Sequence, residues 1–127
     1  LAMIKDPPKG TTLSYGRQFT LSRNSNIGII SAGYGDAIPL PCGNRAHGLI
    51  DGHPYPLVGR VTMDQTLIDL TDMKNEIKPG QIVTLIGTQA KKEILLTELA
   101  NHADTIPWEL LCSITKRVPR VYTTKRE

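Results

Sequence analysis

Three short glycine-containing segments hold most of the side chains that could carry chemistry. They are residues 14–17 (Ser-Tyr-Gly-Arg), 33–36 (Gly-Tyr-Gly-Asp) and 58–65 (Val-Gly-Arg-Val-Thr-Met-Asp-Gln), and each lies near apolar runs typical of β-strands. Because glycine permits tight turns and close approach of another backbone, a neighbouring side chain can be directed into a cleft. We therefore expect the three segments to share one rim, with Tyr15 as the residue that carries the chemistry.

The elements that must position these segments are predicted mainly as β-strands. The turn Asp51-Gly52 is typical of a hairpin, and Pro54 and Pro56 predict that its second arm is an edge strand or begins late. The predicted strands are residues 11–14, 17–21, 27–31, 47–50, 55–58, 61–63, 66–70 and 81–86, of which the last has the clearest pattern.

The helical signals come late in the chain. Leu95, Leu96, Leu99, Ala100 and Ala103 recur at helical spacing, and a second short helix is expected to begin near residue 107, where a proline suits the first turn. The pattern therefore predicts a mainly β fold, a closed or nearly closed β-barrel with two short helices near the C-terminus. Residues 1–9 are expected to be an extended lead-in or linker, and residues 10–127 one domain.

Composition excludes several classes of function. The chain of 127 residues has no apolar run long enough to span a membrane and no signal-peptide pattern, so we expect a cytoplasmic protein without a membrane partner. The net charge is +3, with cations concentrated in residues 116–126. Only 5% of residues are aromatic, which argues against a surface that stacks nucleic-acid bases.

The cysteines and histidines show no familiar ligand motif. Cys42 and Cys112 form no Cys-x-x-Cys pair, and His47, His53 and His102 do not form a His-Glu-x-x-His motif. We therefore predict no disulfide and no metal site. Cys112 is expected to be a small, buried apolar residue.

The motifs in their order resemble the C-terminal β-domain of bacterial alanine racemase. The resemblance runs from about residue 10 to residue 122. It rests on the three segments above together with residues 78–87 (Lys-Pro-Gly-Gln-Ile-Val-Thr-Leu-Ile-Gly), 109–114 (Glu-Leu-Leu-Cys-Ser-Ile) and 117–122 (Arg-Val-Pro-Arg-Val-Tyr). Each motif is weak by itself, but the series at these spacings is specific.

The resemblance implies a share in a larger enzyme. Members of this family carry pyridoxal 5′-phosphate on a lysine of an N-terminal (β/α)8 barrel, which this sequence lacks. They form homodimers in which each active site takes residues from the partner's C-terminal domain, and they interconvert L- and D-alanine, a peptidoglycan precursor. We therefore expect this chain alone to be inactive.

The resemblance also implies roles for individual residues. Tyr15 corresponds to the catalytic tyrosine, one of the two bases needed to exchange the α-proton of alanine. Since the pKa of free tyrosine is about 10, neighbouring groups must favour its phenolate. Met63 corresponds to a residue whose backbone N–H binds the substrate carboxylate, Tyr34 to a tyrosine at the mouth of the substrate channel, and Arg60 to an arginine farther out. As alternatives, Tyr15 and Tyr34 could serve in packing. Met63 could be a core residue and Arg60 a surface cation.

Several positions bear on structural support or depart from the family pattern. Asp64 is expected to stabilise its local turn by hydrogen bonding. Thr62 replaces a frequent cysteine, and residues 37–39 (Ala-Ile-Pro) predict a different course for the channel loop. Trp108 replaces a tyrosine whose hydroxyl contacts the cofactor phosphate; an indole N–H can donate a hydrogen bond but cannot accept one. Core packing is the alternative role for Trp108.

Two other functions remain open from the sequence. A racemase of serine or another amino acid would use the same reacting groups with a different pocket wall, where Trp108 is placed. A stand-alone RNA-binding β-barrel is loosely compatible with the basic C-terminal residues, although the sequence shows no cluster of base-contacting side chains.

Overall fold

The computed structural model of the chain describes residues 1–123. Lys125 and Arg126, two members of the predicted basic cluster, lie outside the described residues. The strands are β1 (Met3–Lys5), β2 (Thr12–Leu13), β3 (Phe19–Thr20), β4 (Ile27–Ile30), β5 (His47–Ile50), β6 (His53–Val58), β7 (Thr66–Asp69), β8 (Gly87–Gln89) and β9 (Lys92–Ile94), and the helices are α1 (Leu96–His102) and α2 (Pro107–Cys112).

The centre of the fold is a five-stranded antiparallel sheet. Its strand order is β1-β4-β7-β6-β5, while β2 pairs with β3 and β8 with β9 in two small separate ribbons. Apolar side chains of the central strands meet the two helices in one main core, in which Ile68 and Ala100 are fully buried. The predictions of a mainly β fold and of two late helices are confirmed.

The hairpin β5–β6 follows the Asp51-Gly52 signal. Ile50 pairs with His53, and both turn residues have positive φ (50° and 74°), which gives the backbone the twist that a two-residue turn needs. The prediction that the second arm starts late or lies at an edge is wrong, because β6 begins at His53 and pairs on both sides.

The prolines of β6 fit because of hydrogen-bond alternation. Pro54 and Pro56 face Leu49 and His47, positions that alternate with the hydrogen-bonded pair next to the turn, so neither needs an N–H toward β5. On the other side of β6, only Leu57 and Val58 pair with β7, so Pro54 and Pro56 have no partner there either. The prolines therefore interrupt no ladder.

The gap between the two edge strands is crossed by residues 80–84 rather than by a strand. Leu49 and Thr84 exchange two backbone hydrogen bonds of 2.9 Å. At the other end, the Leu1 nitrogen donates to the Gln81 carbonyl, and the Gly80 nitrogen donates to the Leu1 carbonyl, both at 2.8 Å. No strand of residues 1–123 closes the sheet, so the predicted closed barrel is not confirmed.

Two predicted strands are wrong. Residues 81–86 pair only at Thr84; Val83 and Leu85 owe their apolar character to packing against the core, not to a ladder. Residues 61–63 lead into a turn that Thr62 and Gln65 close. Residues 1–9 supply β1, which pairs with β4 at the edge of the sheet.

The helices confirm their sequence signals, with one exception in burial. α1 buries Leu99 and Ala100, and α2 begins at Pro107 and buries Leu110. The prediction that Cys112 is buried is wrong, because it follows Leu110 by two residues and so lies on the opposite, exposed face of α2. Neither helix within residues 1–123, with seven and six residues, is long and apolar enough to cross a bilayer.

Candidate active site

Tyr15 is presented by a strained turn between β2 and β3. Its side chain is 54% exposed. The flanking Ser14 has φ 64° and ψ −172°, a conformation that residues other than glycine rarely adopt, and Gly16 and Arg17 also have positive φ. Ser14 Oγ donates a 2.5 Å hydrogen bond to the Arg60 carbonyl oxygen. This bond ties the Tyr15 turn to the segment that follows β6.

The segment that carries Tyr34 lies directly against that same region. The backbone nitrogens of Tyr34 and Gly35 donate to the carbonyl oxygens of Thr62 and Met63, each at 2.9 Å. A Cβ at Gly33 would lie 2.0 Å from the Thr62 oxygen, so no larger residue fits without displacing backbone. The three glycine segments therefore lie together: residues 33–36 contact residues 62–63 through backbone hydrogen bonds, and Ser14 joins the Tyr15 turn to the Arg60 carbonyl.

The turn at residues 62–65 places Met63 at the surface. Thr62 Oγ1 donates to the Gln65 carbonyl at 3.0 Å and accepts from the Gln65 nitrogen at 3.1 Å. Thr62, not Asp64, thus closes this turn. Met63 is 47% exposed, which excludes the core role considered as its alternative. Its backbone N–H donates to no acceptor among residues 1–123, so it is free to bind a ligand.

The two site tyrosines share one open cleft. The cleft has a volume of about 470 Å³ and is lined by Tyr15, Tyr34, Leu40, Pro41 and Arg60. Arg60 donates from Nη2 to Gln18 Oε1 at 3.1 Å, which holds its guanidinium near the Tyr15 turn. Met63 does not line this cleft but lies in the adjoining segment that contacts residues 34 and 35. The cleft therefore combines two phenols, one cation and two apolar side chains.

The segment at residues 37–39, where the sequence departs from the family pattern, leads into the wall of the cleft that Leu40 and Pro41 form. Asp36 caps its own turn, because Oδ2 accepts from the Gly33 nitrogen at 3.0 Å. Ala37 then takes φ 82° and Ile38 enters the core, with 5% of its surface exposed. This course leaves Leu40 and Pro41 on the cleft.

Arg117 was missed as a site residue by sequence reasoning. Its Nη2 donates to Asp64 Oδ1 at 2.5 Å, and its Nε lies 3.2 Å from Asp36 Oδ1. The hydrogen bond to Asp64 and then the charge of Asp36 raise the pKa of the Arg117 guanidinium, so it stays cationic. In the sequence, Arg117 appears only as one member of a basic cluster, and such clusters are also common on solvated surfaces without a site. Sequence spacing could not indicate that Arg117 bridges Asp64 and Asp36, which precede it by 53 and 81 positions.

Arg120, another cation of that cluster, is also used within the chain. Its guanidinium donates to the carbonyl oxygens of Ile114, Thr115 and Val118 at 2.6–2.9 Å. Arg117 and Arg120 therefore serve the fold of the C-terminal segment, and this leaves fewer free cations for the alternative of an RNA-binding surface.

Trp108 lies on α2, beside rather than within the cleft. The helix borders a second pocket of about 330 Å³, which Glu109 and Leu110 share with Tyr34. Trp108 itself is 71% exposed, so the alternative of core packing within this chain is wrong. Leu111, one turn along α2 from Trp108, is 51% exposed, and Ile106, which precedes the helix, is 57% exposed, so α2 and its N-terminal flank carry uncovered apolar side chains.

The fold and site together define a β-domain that presents two tyrosines and an arginine on an open rim. The family model described as "Alanine racemase, C-terminal domain" matches residues 1–122. The chain belongs to this family, and the resemblance drawn from its motifs is confirmed.

Individual relatives agree with this assignment. The chain is 39% identical over 125 residues to an alanine racemase of Halothermothrix orenii and 41% identical over 124 residues to one of Clostridium novyi. Both alignments cover 98% of this chain but only 33% and 32% of those proteins. The chain thus spans about a third of the length of these relatives.

Solved structures show the same fold. A crystal structure of alanine racemase from Bacillus anthracis with bound L-Ala-P matches with a TM-score of 0.89 at 34% identity, over 99% of this chain and 32% of that one. The alanine racemase of Bartonella henselae with covalently bound pyridoxal phosphate matches with a TM-score of 0.86 at 32% identity, over 94% and 32%. The relatives are isomerases, and this chain corresponds to their C-terminal part.

Proposed function

We propose that this chain supplies one half of the active site of a pyridoxal-phosphate-dependent alanine racemase, with Tyr15 as one of two catalytic bases. The observation that carries the proposal is the exposed phenol of Tyr15, held by a strained turn in the cleft that also contains Tyr34 and Arg60. A backbone held in an unfavourable conformation beside an exposed polar group is typical of functional sites.

Racemisation needs a proton acceptor on each face of the substrate α-carbon. Tyr15 would take the proton at its phenolic oxygen on one face and return one in the reverse direction. The cofactor, when bound, delocalises the negative charge left on the α-carbon. The second base is expected to be the cofactor lysine of the N-terminal (β/α)8 barrel, because no lysine lines the cleft among residues 1–123.

The neighbouring groups fit the binding of an amino-acid carboxylate. The Met63 N–H points to no acceptor in residues 1–123 and can donate to the carboxylate, as the resemblance implies. Tyr34 and Arg60 line the same cleft as Tyr15 and would narrow the channel and attract anions. In this arrangement Asp64 acts through Arg117 rather than on the substrate.

These residues fit one wall of a pyridoxal phosphate site and do not enclose it. The cleft is open, and none of the described residues that line it could form the covalent link to the cofactor. Trp108 is exposed on α2, and in the complete enzyme its indole N–H would donate to the cofactor phosphate or its ring would form part of the pocket wall. This substitution also keeps open a preference for serine or another amino acid.

An incomplete site implies partners. Exposed apolar side chains suited to pack against another domain lie on α2, at Trp108 and Leu111, and just before the helix, at Ile106. We propose that the enzyme is a homodimer in which the N-terminal barrel of one subunit meets the C-terminal domain of the other, and that the isolated chain is inactive.

The test uses the complete enzyme and compares wild type with Tyr15→Phe. Removal of one hydroxyl should leave the cofactor spectrum unchanged and lower racemisation in both directions by about 10²-fold or more. Exchange of the α-proton of D-alanine with deuterium from solvent should persist, because the opposite base is intact. Exchange of the α-proton of L-alanine should be lost.

Tyr55→Phe is the matched control. Tyr55 is 6% exposed, and its hydroxyl lies near the Lys74 nitrogen, in the core and not in the cleft. The same chemical change there should leave the kinetics intact. Full racemisation by Tyr15→Phe would exclude Tyr15 as a base. Absence of cofactor binding and turnover in wild type would exclude the racemase function altogether.

A further inference from the structure

Three metal-ligating side chains converge at a place remote in sequence from the site segments. His47 begins β5, while Glu98 and His102 lie four residues apart on one face of α1. One ligand atom from each lies within 4.8 Å of the other two. His47 Nε2 is 3.7 Å from Glu98 Oε1, which is beyond a hydrogen bond.

We propose that His47, Glu98 and His102 form a binding site for a divalent transition-metal ion, of which Zn²⁺ is the best match. Two imidazoles and a carboxylate are typical Zn²⁺ ligands, and three protein ligands leave one position of a tetrahedron for water. The two imidazole nitrogens also favour Zn²⁺, Cu²⁺ or Ni²⁺ over Mg²⁺ and Ca²⁺, because the last two ions prefer oxygen ligands.

The geometry is close to what the ion needs. Zn²⁺ bonds of about 2.0–2.1 Å in a tetrahedron place ligand atoms about 3.4 Å apart. The His47–Glu98 separation is already 3.7 Å, and the three ligand atoms all lie within 4.8 Å of one another, so only small side-chain movements would be needed to reach this spacing. All three residues are half-buried, so a ligand can enter while part of the surrounding water is excluded.

The three polar groups have no other use within the described chain. The side chains of His47, Glu98 and His102 make no hydrogen bond with any residue among 1–123. A single ion would satisfy all three at once. A plain His–Glu ion pair, the simpler alternative, would leave His102 without a role.

A neighbouring ion pair fixes the two elements that carry the ligands. Arg45 lies two residues before His47, and Asp104 lies two residues after His102. Arg45 Nη1 and Nη2 donate to the two oxygens of Asp104 at 2.6 and 2.9 Å. This bidentate pair therefore holds β5 and the end of α1 in register beside the cluster, and a bound ion would add a second link between them.

The sequence prediction of no metal site missed this cluster for a definable reason. Only two ligands, Glu98 and His102, are close in sequence, and their spacing differs from the His-Glu-x-x-His motif. The third, His47, is separated from them by about 50 residues, and only the folded chain brings the start of β5 close to these two side chains of α1.

The test is a zinc chloride titration of the complete, metal-stripped protein in a Cys112→Ser background, which removes the exposed thiol as a competing ligand. Wild type is compared with His47→Gln, Glu98→Gln and His102→Gln. His53→Gln is the control, because this histidine lies outside the cluster. We expect the chain to bind one equivalent of Zn²⁺. The affinity for this ion should fall at least about tenfold in each ligand variant and stay unchanged in the control.

Two further measurements guard against misfolded variants. Zn²⁺, but not Mg²⁺, should raise the Tm of wild type and of His53→Gln but not that of His47→Gln, Glu98→Gln or His102→Gln. Glu98→His, which replaces one ligand by another, should retain binding. Equal Zn²⁺ binding by all variants, or loss with Glu98→Gln and His102→Gln but not with His47→Gln, would overturn the three-ligand site.

Discussion

The guanidinium of Arg117 lies between two carboxylates of the site segments, with Nη2 bonded to Asp64 Oδ1 and Nε 3.2 Å from Asp36 Oδ1. Asp36 belongs to the turn that presents Tyr34, and Asp64 follows Met63. Thr115, two residues before Arg117, donates from Oγ1 to the Gly35 carbonyl at 2.9 Å. The C-terminal segment therefore fixes the spacing of two site segments that come from distant parts of the chain.

Replacement of Arg117 by alanine should reduce activity more than stability. The Arg117 side chain is exposed to water, which screens its two ion pairs, so their loss should lower the free energy of unfolding only slightly. If Tyr34 and Met63 lose their spacing, we expect kcat/KM of the complete enzyme to fall roughly tenfold, because small displacements in an active site are costly. Steady-state kinetics and thermal melting of the same sample test this.

Arg120→Ala is the control for Arg117→Ala, since it removes the same charge from the same segment but bonds only to carbonyls within it. Equal losses of kcat/KM in the two variants would indicate a general effect on the C-terminal segment. Unchanged kinetics in Arg117→Ala would mean that the turns keep their spacing without it.

Ser14 provides a test of stored backbone strain beside Tyr15. Ser14→Ala keeps the unfavourable backbone and loses the hydrogen bond to the Arg60 carbonyl, so we expect a loss of about 1–2 kcal/mol in stability. Ser14→Gly loses the same bond but relieves strain worth about 1–3 kcal/mol. The glycine variant should therefore be the more stable of the two in urea unfolding. The reverse order would show that the turn is not strained.

Gly33 and Gly35 form a matched pair for the contact between site segments. An added Cβ at Gly33 would meet backbone, the Thr62 oxygen at 2.0 Å, while at Gly35 it would first meet the flexible end of Arg117 at 2.5 Å. We expect Gly33→Ala to cost about 1–3 kcal/mol and Gly35→Ala clearly less. Chemical denaturation of both variants checks this order. A smaller loss for Gly33→Ala would mean that segment 62–65 is free to move.

The sequence predicted the local elements well and the long-range contacts poorly. The Asp51-Gly52 hairpin and the start of α2 at Pro107 follow from backbone preferences that act within a few residues. The order of the motifs predicted Tyr15, Tyr34 and Met63 as site residues. By contrast, the roles of Arg117 and of residues 80–84 depend on pairing partners far along the chain, and no local pattern encodes those partners. The strand predicted at 81–86 was wrong for this reason.

Alanine variants of Trp108 and Leu110 test separately whether these residues of α2 serve an interface or the core. Trp108 is 71% exposed and Leu110 is 2% exposed, although they are two residues apart. In the isolated chain, Trp108→Ala should change stability by less than about 0.5 kcal/mol, while Leu110→Ala should cost about 2–5 kcal/mol. In the complete enzyme, Trp108→Ala should weaken cofactor binding. A large stability loss for Trp108→Ala in the isolated chain would contradict the exposed placement.

The two cysteines should differ in reactivity as they differ in burial. Cys42 is fully buried, and burial raises the pKa of its thiol to about 11, whereas Cys112 is exposed. At pH 8 a thiol reagent should modify one thiol of the folded chain rapidly and the second only on unfolding, because the thiolate is the reactive form. Cys112→Ser should abolish the rapid phase. A rapid phase that survives this substitution would show that Cys42 is accessible.

The raised pKa of Cys42 also predicts a slope of stability with pH. Above pH 9 the unfolded thiol loses its proton while the folded thiol keeps it until about pH 11, so the unfolded state binds fewer protons and stability falls as the pH rises. Across this window the loss should be on the order of 2 kcal/mol. Below pH 8 both states are protonated and Cys42 contributes no slope. Urea unfolding of wild type and Cys42→Ala from pH 7 to 11 isolates the effect: the stability difference between them should stay constant up to pH 8 and then shift against wild type. Parallel curves throughout would show that the thiol ionises in the folded chain as readily as in the unfolded one.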